Sequence, residues 1–312
     1  MKKLLTLLSI IFLTEMLFAN QEFDQLMESA NSGDADACYD ISLCYQYGYL
    51  DIESDNEQAL FWAHKAAKLG VTDAMVDIGI YHLYFDDDWK TAKKYFDKAA
   101  KKNNAHAYYM LGYCYSNGIN VKKNIKKGIK NLEKAGSLDY AAANYQLGVI
   151  YYAGIDVKKD DEKAFNYYLK AAEGNNAVAQ SQVGYMYERG IGTAVDRKAS
   201  FEWNKKAALQ EDARGMISYG YELAVGEIVE QDFDTGISYM LHAAEIGNNK
   251  EKASVYNILQ VIYKEGRIVE QDIDKAYEYH LKCVDLGIEF VNLFEDMSEE
   301  YSEDSFKEKD FD

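Results

Sequence analysis

The feature that most constrains this chain is a repeat of about 36 residues that runs through most of its length. A column of small residues, here the small-residue column, recurs at spacings of 33, 36, 36, 36, 36 and 40: Ala59, Ala92, Gly128, Ala164, Ser200, Gly236 and Ala276. Upstream of it runs the glycine column: Ser42, Gly79, Gly112, Gly148, Gly184, Gly220 and Gln260. Seven copies in phase indicate one supersecondary unit repeated along the chain, with each copy packed on its neighbours.

Two further columns keep the same phase. Seven residues after the small-residue column the chain carries Ala66, Ala99, Ala135, Ala171, Ala207, Ala243 and Cys283. Three residues after it stands the aromatic column: Trp62, Tyr95, Asn131, Tyr167, Trp203, Tyr239 and Tyr279. We expect the small residues to let two helices approach closely and the aromatic residues to fill the space beside them.

Residues 143–176 show how one unit folds. Apolar residues within 143–153 recur every three or four positions, which is typical of a helix face. Gly154 ends this first helix, because glycine readily takes the left-handed conformation of a C-cap. Asp160 or Asp161 caps a second helix, and residues 173–176 make the turn into the next unit. Each pair leaves an apolar face that only stacking covers, so the sequence predicts an all-α solenoid, a superhelix of about seven helix pairs over 35–287.

The pattern A-x-x-L-G-x-x-Y-x-x-G, a loop, Asp, and then A-x-x-W/Y-x-x-K-A-A resembles the Sel1-like repeat, a relative of the tetratricopeptide repeat. Its clearest copy lies within residues 180–211. The second copy departs from the pattern in the loop Phe85-Asp86-Asp87-Asp88, and the last copy carries four extra residues near 248–252. The resemblance implies a right-handed superhelix that serves as an interaction scaffold, with the first helix of each pair on its concave side.

The two ends of the chain differ from the repeats. Lys2 and Lys3 precede the apolar stretch Leu4 to Leu13, and Ala19 offers a small residue for cleavage, so we interpret residues 1–19 as a signal peptide. The alternative is an N-terminal membrane anchor, for which the apolar stretch is too short. We expect residues 20–34 to form a capping helix, and residues 288–312 to form a C-terminal cap and an acidic tail. The mature protein is then periplasmic or secreted, without membrane insertion.

Charge limits the class of partner. The formal net charge is -18, which argues against nucleic acid because phosphates need a basic surface. A basic or neutral protein or peptide is the electrostatically natural partner, and we expect the scaffold itself to be a monomer.

No motif predicts catalysis, a metal site or a cofactor. The five histidines form no H-x-x-x-H pair, and there is no C-x-x-C. The four cysteines (Cys38, Cys44, Cys114 and Cys283) lack disulfide spacing on the predicted helices, so we interpret them as small buried apolar residues, with one irregular bridge or a reactive thiol as alternatives. A cysteine-rich branch of the Sel1-like repeat family, which this chain resembles, has been labelled as β-lactamases. Ser54-Asp55-Asn56 matches one of their motifs, but the chain has no S-x-x-K and no K-T-G.

Surface tyrosines are the remaining candidates. Off the apolar stripe of the first helices we place seven potential binding residues: Tyr39, Tyr109, Tyr113, Tyr145, Tyr152, Tyr185 and Tyr221. Tyrosine gives large contact area at a small entropic cost, although several of these rings could instead pack between repeats. The leading hypothesis is an extracytoplasmic adaptor with a tyrosine-lined concave groove. The resemblance adds a narrower alternative, a periplasmic immunity protein that neutralises a toxin.

Overall fold

The computed structural model describes residues 21–287, and the predictions for residues 1–20 and 288–312 lie outside this range. The described part of the chain is helical throughout and contains no strand. A helix α1 over residues 21–31 precedes seven helix pairs. This confirms the predicted all-α fold of consecutive helix pairs.

The first helices of the pairs are α2 Ala35–Tyr47, α4 Thr72–Tyr84, α6 Ala105–Asn117, α8 Ala141–Ala153, α10 Ala177–Arg189, α12 Ala213–Val225 and α14 Asn249–Glu265. The second helices are α3 Asn56–Leu69, α5 Trp89–Ala100, α7 Ile125–Gly136, α9 Asp161–Glu173, α11 Arg197–Ala208, α13 Phe233–Ile246 and α15 Ile273–Asp285. A 3-10 turn, Tyr49–Asp51, follows α2.

Each second helix starts at a side-chain cap. The capping residues are Asp55, Asp88, Asn124, Asp160, Asp196, Asp232 and Asp272, and each side chain accepts a hydrogen bond from a backbone N–H of the first helical turn. Such caps contribute about 1 kcal/mol each because they satisfy donors that have no partner within the helix. Of the two candidates in the fourth repeat, the cap is Asp160.

The glycine and small-residue columns meet where the two helices of a pair cross. A Cβ atom placed on Gly220 of α12 would lie 2.6 Å from the Gly236 carbonyl oxygen of α13. The reverse substitution is equally tight, because a Cβ atom on Gly236 would lie 2.5 Å from the Gly220 oxygen. The predicted close approach of the two backbones is confirmed here.

The aromatic column fills the core only in the first and last repeats, where Trp62 and Tyr279 are buried, so its predicted role is confirmed in part. The residues one position later also fill the core: Ala63, Phe96, Leu132, Tyr168, Asn204 and Met240 are buried. The other rings of the column are half-buried, and five of its six rings lie beside a lysine three residues further along the helix. These pairs are Trp62–Lys65, Tyr95–Lys98, Tyr167–Lys170, Trp203–Lys206 and Tyr279–Lys282. One helical turn places the ammonium group over the ring face, as cation–π attraction favours.

Chain contacts divide the described residues into two compact units. Unit 1 contains the residues up to Ile150 together with Ile155–Val157, and unit 2 contains Tyr151–Gly154 and the residues from Lys158 onward. The core of unit 1 includes Ile41 and Trp62 in one cluster and Leu83 and Phe96 in another. The core of unit 2 is formed by residues such as Met240.

The extra residues of the last repeat become an additional turn of helix. The first helix α14 has 17 residues, whereas each of the other six first helices has 13. Its start is fixed by a capping box in which Asn248 and Glu251 each accept a hydrogen bond from the other's backbone N–H. Within residues 21–287, no helix has the length and apolar character needed to cross a bilayer.

Candidate functional sites on the first helices

All seven predicted tyrosines lie on first helices, but the structure does not gather them into one site. Tyr39, Tyr109, Tyr113 and Tyr145 belong to unit 1, and Tyr152, Tyr185 and Tyr221 belong to unit 2. Tyr185 and Tyr221 are exposed, with 42% and 39% of their surface accessible, and the other five are half-buried. The two groups therefore have different surroundings.

In unit 1 three of the four tyrosines, Tyr39, Tyr109 and Tyr113, belong to a row of polar and aromatic side chains along α2, α4 and α6. The Tyr39 hydroxyl on α2 donates a hydrogen bond to Asp77 Oδ2 on α4 at 2.8 Å. On α6 the Tyr109 and Tyr113 rings stack with centroids 5.8 Å apart, and Tyr140 stacks on His106 at 5.5 Å. Tyr39 thus packs between repeats, which was the alternative role for these rings.

Burial sets the protonation of this row. It raises the pKa of the Asp77 carboxyl above its usual value, an effect reduced by the Tyr39 hydrogen bond and by nearby His106. Burial lowers the pKa of His106, against a smaller opposing attraction from Asp77 and Asp73. The pKa of Tyr39 is raised by burial and by Asp77, so its hydroxyl stays protonated and donates. At neutral pH the His106 imidazole is therefore uncharged, and burial makes the charged form of Asp77 less favourable than it is in water.

Sequence reasoning missed Asp77 and His106, although Asp77 gives one signal. It is an acid in the middle of the apolar run AMVDIGI of α4. It belongs to a further column, here the groove column, two residues before the glycine column: Asp40, Asp77, Met110, Gln146, Gln182, Ser218 and Ile258. Most of these side chains are half-buried, although Met110 belongs to the core, so in most repeats this column places a variable residue at the surface of the first helix.

A pocket of about 420 Å³ opens beside Asp77 in unit 1. Its walls come from α2, α3, α4 and α6, with Phe85 directly after α4. The polar groups Asp77 and His106 and the aromatic rings of Tyr47, Tyr81 and Phe85 are among its lining residues. We refer to it as the Asp77 pocket.

A larger groove of about 590 Å³ lies in unit 2, and we refer to it as the Tyr221 groove. Branched apolar side chains line it: Ile217, Ile258, Val261, Ile262 and Ile268. Ser218, Asn257 and the charged groups Glu188, Arg197, Glu222, Glu265 and Arg267 supply its polar part. Two members of the groove column, Ser218 and Ile258, line it, just as Asp77 lines the pocket of unit 1.

Arg197 organises the charged side of the Tyr221 groove. Its guanidinium donates to Glu222 Oε1 at 2.9 Å and to Glu227 Oε2 at 2.5 Å. Within the described residues, no group donates a hydrogen bond to the second Glu222 oxygen, Oε2, which is shielded from solvent. A shielded carboxylate oxygen without a donor is costly, so a donor brought by a bound partner would be favourable there.

The residues that were considered for catalysis or as reactive thiols have roles in helix capping or in the core. Asp55 of the Ser54-Asp55-Asn56 motif caps α3, accepting from the N–H groups of Glu57 and Gln58 at 2.9 and 3.1 Å. The four cysteines are buried and unpaired, which confirms their predicted burial. Burial raises the thiol pKa of Cys114 to about 12 and of Cys283 to about 11, so neither is a reactive thiolate at neutral pH. Among residues 21–287 there is no cluster of three or more potential metal ligands.

The Sel1 repeat model matches residues 35–71, 72–104, 105–140, 141–176, 177–212, 213–248 and 261–287. The unmatched residues 249–260 contain the extra turn of α14. A curated relative, the ERAD-associated E3 ubiquitin-protein ligase component HRD3B of Arabidopsis thaliana, is 29% identical over 108 residues. That match covers 34% of this chain and only 17% of the relative.

Two crystal structures show the same fold. One is c5321, a protective antigen of uropathogenic Escherichia coli strains, with a TM-score of 0.69 and 28% identity, covering 85% of this chain and 56% of that one. The other is a Sel1 repeat protein from Oxalobacter formigenes, with a TM-score of 0.63 and 26% identity, covering 81% of this chain and 99% of that one.

Proposed function

This chain belongs to the Sel1 repeat family, and from that premise we propose that it is an exported, non-catalytic scaffold that binds a protein through its first helices. The Sel1 repeat is a scaffold suited to protein–protein interaction. The finer elements of the proposal are the place where the partner binds, its chemistry, and the compartment in which binding occurs.

The observation that carries the proposal is the composition of the Tyr221 groove. Its volume of about 590 Å³ is within the range of ligand sites, and it combines aliphatic walls with a few polar groups that can fix orientation. Grooves of this composition suit the apolar face of an amphipathic helix, whose side chains enter at a spacing of three and four residues. Tyr221, a predicted binding residue, is accessible at the edge of this surface.

The charges of the groove favour a partner segment with a basic residue. Glu188, Glu222, Glu227 and Glu265 outnumber the arginines beside them, and Glu222 Oε2 lacks a donor. A lysine or arginine next to the aliphatic residues of the partner would supply that donor. The formal net charge of -18 acts in the same direction by attracting a basic partner at long range.

Export is the second element of the proposal and rests on residues 1–19 of the sequence. Periplasmic or secreted localisation is tested by cell fractionation and by N-terminal sequencing of the mature protein, which should begin near Asn20. An immunity protein would be a narrower case of the same function, identified by a toxin as the captured partner. A β-lactamase activity is not proposed, since the sequence lacks the S-x-x-K and K-T-G motifs.

The binding site is tested by capture from an envelope extract, followed by affinity measurement with the purified partner. Tyr221→Ala should weaken the complex at least about fivefold, or about 1 kcal/mol, the loss that distinguishes contributing interface residues from neutral ones. Phe61→Ala is the matched control, because it removes a 53% exposed ring from a second helix. Equal affinity of the Tyr221→Ala protein and the wild type would place the interface elsewhere.

A further inference from the structure

The Asp77 pocket of unit 1 contains an acid without a counter-charge. Asp77 is half-buried on α4 and accepts a hydrogen bond from the Tyr39 hydroxyl. Ion pairs among residues 21–287 do not include Asp77 or its neighbour Asp73, one helical turn earlier. His106 is close enough to influence the carboxylate, but burial favours its neutral form. A carboxylate held away from water is stabilised when a cation reaches it.

The aromatic rings of the same pocket are uncovered. Phe85 is 68% exposed and stacks on Tyr81 with ring centroids 5.0 Å apart, and Tyr47 is 58% exposed. On second helices the chain places its own lysines over such rings, as in Trp62–Lys65. In the described chain no lysine or arginine lies over Tyr47, Tyr81 or Phe85. The faces of aromatic rings attract cations, and this attraction is stronger when the cation is removed from water.

Phe85, at the rim of the Asp77 pocket, stands at a position where this repeat departs from the repeat pattern. Six residues after the glycine column the other repeats have glycine, at Gly48, Gly118, Gly154, Gly190, Gly226 and Gly266. The second repeat has Phe85 at this position, in a right-handed conformation that directly continues α4. The backbone then turns at Asp87, whose φ is 51°, before Asp88 caps α5. A large ring therefore stands where the repeat elsewhere leaves space.

We propose that the Asp77 pocket binds the side chain of an arginine on the protein partner. A planar guanidinium can stack on the Tyr81 and Phe85 rings while it donates hydrogen bonds to the Asp77 carboxylate. A lysine ammonium can make the ionic contact but cannot stack in the same way. This inference rests on the proposed function, since it assumes a protein partner, and it adds a specific residue that the partner must present to unit 1.

The pocket can be tested without the natural partner. The probes are Nα-acetyl-arginine-N-methylamide, the matching lysine compound, and the citrulline compound, which has nearly the shape of arginine but no charge. Each is titrated into the full-length protein and followed by NMR at assigned resonances of Tyr81, Phe85 and His106. We expect the arginine compound to bind most tightly and the citrulline compound about tenfold more weakly, the scale of one charge-assisted hydrogen bond.

Variants identify the groups responsible. Asp77→Asn should weaken arginine binding about tenfold while its amide oxygen still accepts from Tyr39. Asp156→Asn is the matched control, because it removes the same charge from a surface loop of unit 1 at a φ of 54°, which asparagine tolerates. Phe85→Ala, at an exposed position, should also reduce the affinity and provides a readout if Asp77→Asn fails to fold. Equal affinities for the arginine and citrulline compounds, or no loss in both variants, would overturn the inference.

The experiments distinguish a failure of arginine binding in the Asp77 pocket from a failure of partner binding in the Tyr221 groove. If the Tyr221 groove binds the partner but the Asp77 pocket ignores the arginine probe, Tyr221→Ala weakens the partner complex while the probe titrations stay flat. If the pocket binds arginine but the groove is not the interface, the reverse pattern appears.

Discussion

The Tyr39 hydroxyl on α2 lies 2.8 Å from Asp77 Oδ2 on α4 and donates a hydrogen bond to it. This contact joins the first helices of two consecutive repeats through side chains 38 positions apart in the sequence. It also leaves the second Asp77 oxygen for other donors. The same pair therefore contributes to packing between repeats and to the chemistry of the pocket beside it.

Removing each partner of this pair should change stability in opposite directions. Tyr39→Phe leaves a half-buried carboxylate without its donor and should lower the free energy of unfolding by about 1 to 2 kcal/mol at pH 7. Asp77→Asn should raise it modestly, because the pKa of Asp77 is raised in the folded chain and the charged form is disfavoured there. Urea unfolding followed by circular dichroism measures both. A destabilised Asp77→Asn protein would contradict this account of the charge.

Stability should also respond to pH through Asp77. An acid whose pKa is raised on folding binds more protons in the folded state, so its contribution to stability improves as pH falls through the raised pKa and worsens as pH rises. The Tyr39→Phe deficit should therefore shrink between about pH 7 and about pH 4. The comparison with Tyr39→Phe/Asp77→Asn isolates this group, since the double variant should lack that recovery.

Binding of the arginine compound should follow the opposite trend. Its affinity should fall as pH decreases, because protonation of Asp77 removes the counter-charge. The groups facing Asp77 are Tyr39 on α2, Asp73 on α4 and His106 on α6. Protonation of His106, whose pKa is lowered below its usual value, adds a repelling positive charge in the same direction. His106→Gln should retain the part of the pH dependence that belongs to Asp77, as measured by NMR titration at several pH values.

Binding of the natural partner should depend on the other predicted tyrosines if the interface extends along the first helices. Tyr185→Ala in unit 2, and Tyr113→Ala or Tyr145→Ala in unit 1, should each reduce the affinity by about 1 to 3 kcal/mol. The loss should appear mainly in the dissociation rate measured by surface plasmon resonance. Variants that fold normally and bind unchanged would restrict the interface to the residues that do respond.

Salt should act on a different step. Because the chain carries a formal net charge of -18, association with a basic partner should slow as ionic strength rises and screening shortens to about 8 Å or less. Residues 291–312 hold nine acids against two lysines, so replacing those acids by amides should remove part of this salt dependence and leave the dissociation rate nearly unchanged. An association rate insensitive to salt would show that net charge does not guide binding.

Reducing agent should hardly change the thermal stability. The four cysteines are buried and unpaired, and the thiols of Cys38 and Cys283 donate to the backbone carbonyls of Ala30 and Ala253. A fall of several degrees in Tm on addition of dithiothreitol would contradict this, since a lost disulfide costs about 2 to 5 kcal/mol. A Cys114→Ser variant serves as a control for effects of the thiol itself.

The repeat pattern predicted most of the fold because its signals are local. Gly154, Asp160 and the four extra residues near 248–252 each act within one turn of helix, and the structure places a helix end, a cap and an additional turn at those points. The predicted burial of the aromatic column was confirmed at Trp62 and Tyr279, whereas in the repeats between them the residue one position later is the buried one. A period of 36 gives the phase of the columns, but the crossing of two helices decides which neighbouring residue faces the core.

The candidate sites were less predictable because they are not local. Tyr221 was identified from its helix face, yet the aliphatic walls around it come from α12, from α14 about 40 residues later, and from Ile268 in the loop after α14. Asp77 and His106 are brought together only by the stacking of α4 and α6. The loop of the second repeat was noted as irregular, but sequence alone did not connect Phe85 with an acid eight positions earlier.

The groove column has a consequence for how such a chain changes over generations. Asp77, Ser218 and Ile258 occupy equivalent places in three repeats, and they offer a carboxylate, a hydroxyl and a branched alkyl group to the two sites. A substitution in the groove column changes the chemistry of the Asp77 pocket or the Tyr221 groove, while the helix caps and the glycine column maintain the backbone. The half-buried members of this column can therefore change with the partner while the helix pairs that display them keep their structure.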